Sequence, residues 1–127
     1  MEQTATAILI ADDEPALLSI MTIYLRRLGH SVVGFETARD AWDHFRAQPD
    51  AFALFISDAT LRDAEGESLL ARMRELNPGL ALLICSGYPV DLATLPPDLR
   101  RRTAFLQKPF TPKMLSDTVK RLLQGGP

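Results

Sequence analysis

Five short apolar runs recur along this chain at nearly constant intervals, and that rhythm narrows its possible folds more than any other feature. The runs are Ala7–Ala11, Val32–Phe35, Phe52–Ile56, Leu80–Cys85 and Ala104–Leu106, and successive starts lie 25, 20, 28 and 24 residues apart. Each run is continuous rather than alternating, the habit of strands buried on both faces of a parallel sheet. Each interval is long enough for a crossover helix. Pro15 suits a first helical turn, Leu17, Leu18, Met21, Tyr24, Leu25 and Leu28 keep helical spacing, and Gly29 is a natural stop. Thr37 is expected to cap a second helix with Ala38, Ala41, Trp42 and Phe45 inward, ended by Gln48-Pro49. A third helix is expected from Glu67 to Leu76, with Leu69, Leu70 and Met73 inward. A last one starts near Thr111-Pro112, with Met114, Leu115, Val119, Leu122 and Leu123 inward. Between Asp91 and Arg102 the pair Pro96-Pro97 forbids a long regular helix, so a short or broken fourth helix is expected there. Strand–helix alternation of this kind predicts a doubly wound α/β fold with a five-stranded parallel sheet and helices on both faces.

Composition closes off other classes. At 127 residues the chain fits a single domain, 1–127, with a core of about 7–123. Its one cysteine, Cys85, rules out a disulfide scaffold and reads as a core thiol. Fourteen Lys and Arg against sixteen Asp and Glu give a formal charge of −2, which argues against a broad nucleic-acid face. Residues 1–6 have no basic n-region, and no run approaches a membrane span, so a cytoplasmic location with no membrane partner is expected. His30 and His44 have no companions in a metal pattern and read as surface or packing residues. Trp42 and Met73 read as core, and Arg100-Arg101-Arg102 as a solvated turn.

Doubly wound sheets bind ligands at the carboxyl ends of their strands, so the residues that terminate the strands matter most. The first strand ends in Asp12-Asp13-Glu14, the third in Ser57-Asp58, the fourth in Ser86-Gly87 and the fifth in Lys108-Pro109. Three carboxylates, a hydroxyl and an ammonium should therefore converge on one sheet edge. Two carboxylates about 5 Å apart repel by roughly 3 kcal/mol at an effective dielectric near 20. Proton uptake, Lys108 or a hard cation can offset that cost. Oxygen-only ligation with open positions suits Mg²⁺, and the hydroxyl and ammonium suit the remaining oxygens of a phosphoryl group. A carboxylate of the cluster could itself attack phosphorus and hold an acyl phosphate. Glu14 reads first as a helix-start acid favoured by the dipole and only secondarily as a metal-shell group.

The constellation resembles the receiver domain of two-component response regulators, of the stand-alone or hybrid-kinase type. Asp12-Asp13, Asp58, Ser86 and Lys108-Pro109 carry the likeness, with Gly66 eight residues after Asp58. The resemblance implies a flavodoxin-like sheet of order 2-1-3-4-5. It implies Asp58 as phosphoacceptor, and Asp13, Asp58 and the Thr60 backbone carbonyl as Mg²⁺ ligands, with Asp12 acting through water. It further implies Lys108 as partner of the phosphoryl oxygens, Ser86 and Phe105 as switch residues, and a cis Lys108-Pro109 bond. The implied partners are a histidine kinase or phosphotransfer protein and a downstream protein met through helix 4, strand 5 and helix 5. No DNA-binding domain is expected after the fifth helix. The loop Ala59-Thr60-Leu61-Arg62 departs from the family's methionine-proline pair. That departure motivates an alternative, a pseudo-receiver that is never phosphorylated and acts as a protein-binding module. A small aspartyl phosphatase is disfavoured because Thr60, not an acid, stands two residues after Asp58. Flavin or nucleotide binding is disfavoured by the acidic first turn. Neither Thr60 nor Tyr88 offers a carboxylate or amide to orient water, so slow self-dephosphorylation is expected.

Overall fold

The computed structural model describes residues 7–58 and 66–125. Five parallel strands form one sheet: β1 (Ala7–Ala11), β2 (Ser31–Phe35), β3 (Phe52–Asp58), β4 (Ala81–Ser86) and β5 (Thr103–Gln107), in the order β2-β1-β3-β4-β5. The helices are α1 (Pro15–Arg27), α2 (Ala38–Ala47), α3 (Gly66–Leu76), α4 (Pro97–Arg100) and α5 (Pro112–Leu123). Strand order reverses direction between β1 and β3, which opens a crevice at their carboxyl ends.

The strand centres are apolar because both faces of the sheet are covered. Ile8, Ile10, Leu54, Ile56 and Leu83 pack under α1 and α5, while Leu9, Ala11, Phe55, Leu82 and Ile84 pack under α2 and α3. Each Leu, Ile or Phe among them contributes about 1.5–3 kcal/mol when fully buried. Local signals fix the helix ends. The Thr37 hydroxyl accepts from the Asp40 N–H at 3.1 Å, and the Thr111 hydroxyl accepts from the Met114 N–H at 3.1 Å. Gly29, just past α1, sits at φ +100°, where a side chain would be strained.

Several expectations need correction. Leu28 is 51% exposed because α1 ends at Arg27 and the helical stripe stops with it. Met114, in the first turn of α5, is 43% exposed. Trp42 is only partly buried, since a cleft opens beside its indole. The third helix begins one residue earlier than expected, at Gly66.

The fourth crossover is short, as the two prolines predicted, and arginines hold it in place. A 3₁₀ turn at Leu92–Thr94 precedes the four-residue α4. Buried Arg74 of α3 donates to the Asp98 carbonyl at 2.9 Å and reaches the Thr103 hydroxyl at 3.5 Å. The Thr103 hydroxyl in turn donates to the Leu99 carbonyl. The arginine run is not simply a solvated turn. Arg102, at φ +53°, is half-buried and donates to the carbonyls of Gly79 at 2.6 Å and Leu122 at 3.0 Å.

Candidate functional site

Strand register brings the polar strand ends together. Ala11 pairs with Ser57, so Asp12 arrives level with Asp58. Asp58 pairs with Cys85 and Ser86 with Gln107, which leaves Ser86 and Lys108 at the same edge. The Lys108 backbone N–H donates to the Ser86 carbonyl at 2.7 Å and ties the last two strand ends. The Lys108–Pro109 bond is cis.

The two inner acids are almost fully covered: Asp12 is 1% exposed and Asp58 2%. Lys108 lies between them. Its Nζ is 3.3 Å from Asp12 Oδ2, 3.3 Å from Asp58 Oδ2 and 2.8 Å from Glu14 Oε1. Asp12 Oδ1 also accepts from the Glu14 N–H at 2.8 Å, and the side chains of Asp13 and Asp58 share a hydrogen bond. Burial pushes the Asp12 carboxyl up to about 6, the Glu14 N–H opposes that rise, and the neighbouring Asp58 charge adds to it. Asp13 also moves up from the ordinary carboxylate value, through desolvation and then through Asp58. Burial alone would lower the Lys108 ammonium, but the hydrogen bond to Glu14 and the charges of Asp12 and Asp58 outweigh it, so its net shift is upward. Lys108 therefore stays cationic across the physiological range.

Carboxylate oxygens of Asp12, Asp13, Glu14 and Asp58 all lie within 4.8 Å of one another. An all-oxygen set this tight, with one ammonium against four acids, suits a hard divalent cation. Glu14 is the residue that sequence reasoning undervalued. It stands at the N-cap of α1 but makes no side-chain cap, and its carboxylate reaches Lys108 instead. Its place directly after the acidic pair was the available signal.

Ser86 is buried, and its Oγ accepts from the Tyr88 N–H at 3.0 Å. Phe105 is half-buried on β5, packed against the cluster under α2 and α3. Thr60 lies outside the described residues. The response regulator receiver domain pattern matches residues 8–120. The chain belongs to the receiver-domain family of two-component systems. Its relatives show receivers in different settings. The chain is 31% identical over 123 residues to the DNA-binding transcriptional regulator NtrC of Azospirillum brasilense, covering 96% of this chain and 25% of that protein. It is 24% identical over 116 residues to the response regulator receiver protein CpdR of Brucella abortus, covering 91% of this chain and 95% of CpdR. The chain thus spans a quarter of NtrC but nearly all of CpdR. Among solved structures, the receiver domain of the hybrid histidine kinase CckA superposes with a TM-score of 0.78 at 27% identity, covering 93% of this receiver and 99% of that chain. A receiver protein from Sinorhizobium medicae gives 0.81 at 27% identity, covering 94% and 95%. Among the described residues, no helix of this receiver is long and apolar enough to cross a membrane.

Proposed function

We propose that this receiver takes a phosphoryl group onto Asp58 from the phosphohistidine of a histidine kinase or phosphotransfer protein. The observation that carries the reading is the Asp58 carboxylate, 2% exposed at the end of β3, with the Lys108 ammonium 3.3 Å away. In the reaction an Asp58 oxygen forms a bond to phosphorus as the phosphorus–nitrogen bond breaks, and the imidazole leaves with its electron pair. Asp13 and Asp58, with the Thr60 carbonyl, would hold Mg²⁺, and Asp12 would act through water. The bound cation would neutralise charge on the phosphoryl oxygens. Lys108 moves from its carboxylate partners to a phosphoryl oxygen, an exchange of one charge-assisted contact for another. The Ser86 hydroxyl leaves the Tyr88 N–H and donates to a second phosphoryl oxygen. Phe105 follows by changing rotamer. The modified aspartate thereby favours a second conformation through contacts that exist only there. Output is by protein contact through α4, β5 and α5.

Incubation with acetyl phosphate tests the reading. The native protein should gain the mass of one phosphoryl group in Mg²⁺ and lose that capacity with a chelator or in Asp58→Ala. If Asp58→Ala gains the same mass, the acceptor assignment fails. If neither protein is labelled by acetyl phosphate or by a phosphohistidine donor, the reading as a binding module without phosphorylation is favoured.

A further inference from the structure

The cleft between α2 and α3 takes no part in the reaction proposed above. It encloses about 490 Å³, with Arg39, Trp42, Asp43 and Arg46 contributed by α2 and Leu69 and Arg72 by α3. Setting aside Arg72, which is engaged with Trp42, Arg39 and Arg46 stand against one aspartate in a chain whose formal charge is −2. The local sign therefore opposes the global one. Asp43 cancels little of it. Its 3.5 Å contact with Arg46 joins side chains that are 50% and 60% exposed, and such pairs are weak. Arg39 is exposed and has no ion pair among the described residues.

The floor of the cleft is apolar. Leu69 and Ala38 lie there, each 6% exposed, beside the indole of Trp42. The indole is already engaged. The Arg72 guanidinium carbon sits 4.4 Å from its ring centroid, and the Phe45 ring lies at 6.3 Å with a 29° tilt. A flat ring from a ligand would have to displace these groups, so base stacking is not what the cleft offers. It offers an aliphatic strip with guanidinium groups along the rim.

We propose that this cleft docks an acidic peptide segment of a partner protein, its carboxylates on Arg39 and Arg46 and an aliphatic side chain over Ala38 and Leu69. Complementary charge would steer the encounter, and the apolar strip would set the register of the peptide. The site is independent of Asp58, so it binds whether or not the receiver is phosphorylated.

Trp42 is the only tryptophan in the chain, so its emission reports on the cleft directly. The probe is the acetylated and amidated hexapeptide Glu-Leu-Glu-Glu-Leu-Glu, titrated beside the lysine analogue Lys-Leu-Lys-Lys-Leu-Lys and beside ADP. A saturable change with the acidic peptide alone is expected. Its Kd should rise about tenfold in the double variant R39Q/R46Q and stay within about threefold in R39K/R46K. Both arginines are exposed, so these variants should melt with the native protein. If R39Q/R46Q does not, R39Q alone is expected to weaken the peptide by about threefold. The proposal is overturned by no saturable response, by equal affinity in the glutamine variants, or by tighter binding of the lysine peptide or ADP.

Discussion

At the scale of the residue, the site is a balance between carboxylates that disfavour one another and a lysine that holds them. Asp12 is buried with its carboxyl pushed up to about 6, so ionising it in the folded state costs free energy. Asp12→Asn keeps an oxygen for the Glu14 N–H and removes that cost. Urea melts at pH 8 in metal-free buffer should show the variant about 1–3 kcal/mol more stable than the native protein. Equal or lower stability would mean that Lys108 more than compensates Asp12. Lys108→Met keeps the stem and removes the ammonium, and should slow labelling by acetyl phosphate by about 10²–10³-fold. Cys85, paired in register with Asp58, gives a pH test on a buried thiol beside the acids. Burial pushes its thiol from the ordinary 9.0 to about 12. The folded pKa lies above the unfolded one, so the thiol's contribution to stability is intact below pH 9 and is lost as pH rises toward 12. A disulfide reagent should therefore react slowly with native protein at pH 8 and promptly once urea unfolds it. Prompt reaction in native buffer would contradict the burial. Asp12, Asp58, Ser86 and Lys108 were all legible in the sequence because each ends an apolar run. The Glu14–Lys108 contact was not, because it depends on a side chain crossing between strand ends 94 residues apart.

At the scale of the element, the regular helices follow from local chemistry and the fourth crossover does not. Thr37, Thr111 and Gly29 act where sequence alone put them, through caps and a positive φ. Gly29→Ala isolates the backbone term, since nothing lies within 4 Å of the added Cβ. It should cost about 1 kcal/mol in thermal or urea melts. A neutral result would show that the turn relaxes freely. The prolines announced that α4 would be short but not what would anchor it. That anchor is Arg74, an arginine on a helix whose buried side chain reaches α4 and β5. Helical spacing places Arg74 on the face of Leu70, four residues earlier, but a charged side chain gave no reason to expect burial there. Arg74→Ala should destabilise the protein by about 2–3 kcal/mol. It should also speed amide exchange in residues 92–102 more than in α5. Uniform exchange would show that Arg74 supports the whole core rather than this crossover.

At the scale of the whole molecule, the spacing of five apolar runs was enough for the parallel sheet, because only strands covered on both faces need no polar positions. The resemblance added the order of those strands and hence the edge at which the acids meet. Less legible was the outer layer, where Leu28, Met114 and Trp42 keep helical spacing yet reach solvent. Periodicity marks the face of a helix but not where its cover ends. The charge of −2 likewise averages two regions of opposite sign, the acidic strand ends and the arginine-lined cleft between α2 and α3. The acidic end is where the central claim can be tested. The most direct measurement traps the acyl phosphate with borohydride after acetyl phosphate and Mg²⁺, then locates the reduced residue by peptide mass. Conversion of Asp58 to homoserine is the predicted result. Reduction at Asp12 or Asp13 with Asp58 intact, or at no aspartate, would contradict it.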